Sequence, residues 1–116
     1  MTTQAKKQTD AILDHHLEAL MAWDIDAILA DYSDDSTIFT PQATVTGIDD
    51  IRQFFGGMQE LIQKLLASFE LVRRDANDEV AYLVWSAGDI APLGTDTFVV
   101  RNGKIVTQTF AAYIPQ

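Results

Sequence analysis

Near its C-terminal end the chain reads GTDTFVVRNGKIVTQTFAAYI (residues 94–114), with Asn102-Gly103 set between two runs rich in β-branched and aromatic residues. A two-residue hairpin turn of type I′ needs positive φ at both positions, which asparagine and glycine supply at least cost. The flanking runs are therefore predicted to pair as an antiparallel hairpin. Alternation then sorts the side chains by face. Asp96, Phe98 and Val100 share one side of their strand, and Thr95, Thr97, Val99 and Arg101 the other. In the next strand Val106, Gln108, Phe110 and Ala112 alternate with Ile105, Thr107, Thr109 and Tyr113. Asp96 is thus a carboxylate on an apolar face.

Upstream, "ASFELVRR", the turn "DAND" and "EVAYLVWSA" predict a second hairpin, followed by an irregular "GDIAPLG". The N-terminal half is helical. Over residues 4–23, Ile12, Leu13, His16, Leu17, Leu20 and Met21 recur at helical spacing, while Asp14, His15 and Glu18 fall on the other side. Trp23 ends this helix as a cap on the core. Asp24 is placed to cap a short second helix with Ile25, Ile28, Leu29 and Tyr32 as its stripe. "TIFT" and "ATVT" flank Pro41-Gln42 as short strands. "IDDIRQFFGGMQELIQKLL" is a third helix, with Ile51, Phe54, Phe55, Met58, Leu61, Ile62 and Leu65 on one face. Gly56-Gly57 interrupts it, which suggests close packing there or a bend. Helices first and antiparallel strands afterwards predict an α+β fold with helices on one face of the sheet.

A chain of 116 residues fits one domain, 1–116, and the absence of cysteine excludes disulfides and thiolate chemistry. A net charge of −9 argues against nucleic acid as a partner. No apolar run is long enough to span a bilayer, and the N-terminus lacks a secretory h-region, so a cytoplasmic address and no membrane association are expected. The threonine-rich second face of the hairpin, with its large apolar residues, is not a strongly polar solvent face. It predicts a homodimer through the sheet.

The order helix, helix, short hairpin, long helix and four strands resembles the nuclear-transport-factor-2-like superfamily. That superfamily has a cone-shaped, cystatin-like α+β fold with three N-terminal helices packed on a curved antiparallel sheet. Ketosteroid isomerases and SnoaL-like polyketide cyclases belong to it. The resemblance is carried by "ALMAWDIDAILADYSDDSTIFTP", "GIDDIRQFF" and "GTDTFVVRNGKIVTQ". By this resemblance Asp96 falls where ketosteroid isomerases carry an aspartic acid that hydrogen-bonds the substrate oxyanion, the case of a carboxylic acid kept neutral by an apolar site. His16 falls where they carry the partner tyrosine. Their general base should fall at Thr40, which cannot do that work.

The resemblance implies a cofactor-free isomerase, cyclase or dehydratase acting on a small apolar carbonyl compound, with Asp96 and His16 as catalytic residues. Tyr32, Thr40, Phe54, Trp85, Gln108 and Phe110 are expected to form the substrate-binding wall. Burial raises a carboxyl pKa, so Asp96 suits an acid or hydrogen-bond donor. Each residue also has a plainer reading. Asp96 can bond the "APLG" loop or face water, and His16 can be a core histidine. The aromatics can be ordinary packing, and Asp31, Asp34 and Asp35 can be turn and capping residues. Adjacent histidines on a helix diverge, so His15 reads as a surface residue and the pair is not a metal motif. The alternative function is a non-catalytic ligand-binding or dimerisation module.

Overall fold

A computed structural model describes residues 3–115. Three helices, α1 (Gln4–Ala22), α2 (Ile25–Leu29) and α3 (Ile48–Ala67), pack on one sheet. Its strands are β1 (Thr37–Phe39), β2 (Thr44–Thr46), β3 (Phe69–Asn77), β4 (Val80–Ala87), β5 (Ala91–Arg101) and β6 (Lys104–Tyr113). Their order across the sheet is β2-β1-β6-β5-β4-β3, antiparallel throughout except where β1 runs parallel to β6. This is the expected α+β cone, with the core between the helices and the inner face. Leu13, Ile28, Ile38, Ile51, Leu83, Phe98 and Ile105 are fully buried there.

The local signals act as their chemistry dictates. Thr3 caps α1 by accepting from the Lys6 N–H, and Asp24 caps α2 by accepting from the Ala27 N–H. Trp23 ends α1 in the left-handed conformation (φ 48°), and its N–H bonds the Ala19 and Leu20 carbonyls. Asn102 and Gly103 adopt φ 52° and 73°, and Arg101 pairs with Lys104 to close the two-residue turn.

Four local expectations are corrected. The turn after β3 falls at Asp78 and Glu79 rather than over "DAND", because Asn77 still pairs with Val80 and Asp78 takes the positive φ of 52°. Residues 91–94 of the supposed irregular piece are strand, Ala91 pairing with Ala87 across a bulge. Helix α3 runs unbroken through Gly56-Gly57, and nothing lies within 4 Å of where their side chains would project, so close packing is not their reason. In β6 the ladder steps from Val99–Thr107 to Val100–Ile105, which leaves Val106 as an extra residue. That bulge turns Ile105 to the core, against its expected outward direction, while Gln108 stays inward.

Candidate functional site

A cavity of about 290 Å³ lies between α1, α3 and the inner face of the sheet. Its volume is at the low end of the range for small-molecule pockets. Phe54, Phe55 and Met58 of α3 face Leu83 and Trp85 of β4 across it, and Phe98 and Phe110 complete the floor. Three polar side chains enter from separate elements: His16 from α1, Asp96 from β5 and Gln108 from β6. Glu18 and Met21 stand at the rim. Met21 is 61% exposed, so it edges the cavity instead of joining the core as its place on the helical stripe predicted.

Asp96 keeps the direction that alternation gave it. It pairs with Leu83 and Phe110, both cavity residues, and its Oδ1 is buried with no hydrogen-bond partner. Burial pushes its carboxyl up to about 7, against the opposing pull of the Trp85 indole N–H. Near neutral pH the group therefore exists in both forms, and the neutral form carries a hydroxyl that can donate a hydrogen bond. An unpaired polar atom at the floor of an apolar cavity is a place for a ligand atom.

His16 is 1% exposed and sits edge-on to the rings of Tyr32 and Phe98, each 5.6 Å away between centroids. Its Nε2 lies 3.4 Å from the Tyr32 hydroxyl, which in turn donates a short hydrogen bond to Gln108 Oε1. Burial, with the charges of Asp96 and Asp31, drives the Tyr32 pKa well up and keeps its hydroxyl neutral. Tyr32 lies behind the cavity and not in its wall, a correction that follows from where α2 stops. The helix ends at Leu29, and Tyr32 folds back to bond the Leu29 carbonyl. Its role is to link His16 to Gln108.

Thr40 is likewise away from the wall. It closes the β1–β2 turn, its Oγ1 accepting from the Gln42 and Ala43 N–H groups at 3.2 and 3.0 Å. Phe54, Trp85, Gln108 and Phe110 do line the cavity, together with His16 and Asp96. Trp85 stacks on Phe110 at 6.2 Å and packs on Phe69 at 5.8 Å.

Asp31 is the residue that sequence reasoning misjudged most. Gly47 is the N-cap of α3, and Asp34 reaches the first turn from a distance, its Oδ1 accepting from the Ile48 N–H at 3.4 Å, while Asp35 is exposed. Asp31, expected as a third turn residue, is instead buried between the two histidines. His15 Nδ1 bonds both its oxygens at 2.8 and 2.9 Å, whereas His16 Nδ1 stands 3.4 Å from Oδ2 without a hydrogen bond to it. His15 is therefore anchored, although half of its side chain meets solvent. The signal was nonlocal: the α1–α2 reversal lays residues 31 and 32 beside 15 and 16. Among the described residues no three His, Cys, Asp or Glu side chains are grouped to hold a metal.

The architecture has close parallels. An NTF2-like protein of unknown function from Burkholderia xenovorans LB400 superposes with a TM-score of 0.78 at 22% identity, covering 98% of this chain and 89% of that one. A candidate ketosteroid isomerase from Kribbella flavida DSM 17836 gives 0.69 at 18% identity, with 96% and 84% covered. An LEH-like epoxide hydrolase of M. tuberculosis gives 0.69 at 15%, with 93% and 84% covered. At these identities the likeness is one of fold. No curated protein sequence matches the chain. The SnoaL-like domain model, however, matches residues 13–108, most of the length and every polar residue of the cavity. The chain has the fold of the NTF2-like structures and belongs to the SnoaL-like domain family.

Proposed function

We propose that the cavity binds a small, largely apolar, carbonyl-bearing molecule and that Asp96 and His16 act on it by acid–base chemistry without a cofactor. The reaction classes that fit are isomerisation, aldol-type cyclisation and dehydration. The carrying observation is Asp96 Oδ1, buried without a partner in an apolar cavity and held near the point where it can keep or release a proton. As charge develops on a substrate oxygen, a neutral Asp96 donates to it from surroundings that screen little. His16 stands on the same cavity, backed by Tyr32 and Gln108, as partner or base. Solved structures of the same fold described as an epoxide hydrolase and a candidate ketosteroid isomerase favour a catalytic use of the cavity.

A second reading, a binding module without catalysis, is favoured by one observation. Thr40, to which the resemblance assigns the base position of ketosteroid isomerases, is spent on a turn. The first reading requires an oxyanion site, and the second does not. Substituted naphthols of graded acidity, followed by quenching of tryptophan fluorescence through Trp85, test it. Affinity should rise with phenol acidity in the native protein, and Asp96→Ala should lose roughly tenfold or more, the worth of a charge-assisted hydrogen bond. Native protein that binds none of the series overturns the proposal.

The outer sheet face supports a homodimer. Phe39 and Tyr113 are 45% and 63% exposed, beside Thr95, Thr97, Thr107 and Thr109. Sedimentation equilibrium should find a dimer at micromolar concentration. Thr97→Arg, near the centre of the face, should weaken it by about a hundredfold through an unpaired buried charge. A native monomer at 100-fold higher concentration, about the upper range of such associations, overturns the dimer.

A further inference from the structure

Gly56-Gly57 stands in the middle of α3 with no packing reason to be glycine. Both residues keep ordinary helical backbone and face solvent, and nothing lies within 4 Å of where a side chain would project. Alanine would fit at either position. Each glycine lowers the helical equilibrium about fivefold relative to alanine, so the pair weakens α3 at one place by roughly twentyfold.

The glycines also divide the helix by its attachments. Before them, the Ile48 N–H bonds Asp34 at 3.4 Å and Arg52 meets Asp26 at 3.3 Å. Ile51 and Phe55 are buried there, Phe55 against the rings of Trp23 and Tyr32. After them, Met58, Ile62, Leu65 and Leu66 line the cavity. Among the described residues no side-chain hydrogen bond or ion pair ties residues 57–67 to another element; the Lys64–Glu60 pair, at 3.5 Å, lies within the helix. The other walls are fastened. Thr9 of α1 donates to the Asp78 carbonyl of the β3–β4 turn at 2.7 Å, and Arg74 of β3 meets Asp14 of α1 at 2.7 Å. Strands β4, β5 and β6 are joined by their ladders. A molecule that reaches Asp96 Oδ1 must come in among side chains that solvent scarcely touches, Leu83, Trp85 and Phe98. The wall held by apolar contacts alone is the one that gives way most readily. It joins the fastened half of its helix through the two residues least resistant to bending.

We propose that Gly56-Gly57 is a hinge, and that residues 58–67 swing from it as the moving wall of the cavity, admitting the ligand between α1 and α3. This rests on the reading that the cavity holds a ligand, and adds the route by which it enters. As the hinge opens, the helical bonds that span it break, from the N–H groups of residues 57–60 to the carbonyls of residues 53–56. Closing restores them over the bound molecule.

Amide hydrogen exchange of the ligand-free chain, followed by NMR, tests the hinge. Residues 57–60 should exchange about tenfold or more faster than residues 52–55, an abrupt step at the glycines. Protection that is equal on both sides, or that only falls steadily toward Ala67 as in end fraying, overturns the proposal. The variant Gly56→Ala/Gly57→Ala favours the helix and leaves the lining side chains in place. Its exchange at 57–60 should slow by about twentyfold, the combined difference in propensity. Stopped-flow quenching of tryptophan fluorescence by a naphthol tests the entry route. Association and dissociation should both slow by about tenfold in the variant while Kd stays within about twofold, because the closed form is favoured equally with and without ligand. Unchanged rates in the variant overturn the entry route. If naphthols bind neither protein, the ligand reading falls, and exchange at 57–60 alone decides the hinge.

Discussion

At pH 8, Asp96→Asn is expected to be more stable than the native protein by about 2–4 kcal/mol in urea denaturation, at about 1.4 kcal/mol per unit of pKa shift. The sign follows from the raised carboxyl. In the unfolded chain Asp96 ionises near its ordinary value of 3.8, whereas in the fold burial holds it at about 7. Folding between those values takes up a proton. The stability contributed by the protonated group is complete below pH 3.8, falls as pH rises through 7, and stays lost above. Asparagine titrates nowhere in that range. The advantage of the variant should accordingly shrink to about 1 kcal/mol or less at pH 4.5. A difference independent of pH would mean that Asp96 is hydrated and ionised in the fold. Retaining a carboxyl that costs this much above neutrality is expected of a group kept for what it does.

The second large effect concerns Gly94, which pairs with Trp85 across β4 and β5. A Cβ at Gly94 would lie 2.2 Å from two carbons of the indole six-membered ring. The backbone of Gly94 is not left-handed, so the obstacle is the ring alone. The ring cannot simply retreat, because Phe69 and Phe110 pack against it and Trp85 is only 4% exposed. Gly94→Ala should therefore destabilise the fold by about 2–4 kcal/mol, the upper range for overpacking. Trp85→Leu in the same chain should recover part of that loss, and a double-mutant cycle should give a coupling of about 1 kcal/mol or more. Additive effects would show that the indole already has another place to go. The glycine exists so that an indole can lie flat over the strand and form one wall of the cavity.

What the sequence disclosed, and what it hid, divides by range. The direction of Asp96 was legible because β5 keeps strict alternation from the Asn102-Gly103 turn inward, with Phe98 and Val100 buried beside it. Ile105 was misplaced only because the Val106 bulge resets the period of β6, and no turn residue or glycine announces that bulge. Phe54 and His16 were legible from helical spacing. Tyr32 and Thr40 were not: both lie just past the end of a short element, where periodicity no longer fixes direction. The role of Asp31 was hidden further still. "SDDS" beside it carries every mark of a turn, and its partner His15 lies 16 residues away across a helical reversal.

The parallel pairing of β1 with β6 has a consequence for how the chain comes to be folded. Thr37 meets Thr107, and β1 and β2 reach the rest of the sheet only through the strand synthesised last. On a ribosome adding about 5–20 residues per second, the early hairpin therefore waits several seconds with its edge uncovered. No order of local assembly shortens that wait, since the contact spans most of the chain and the entropy of closing so long a loop must be met first. Ile38 cannot be covered by β6 before that strand has emerged. For this protein, completion of folding is tied to the emergence of one strand, and a nascent chain stalled before it exposes its edge to whatever binds unpaired strands.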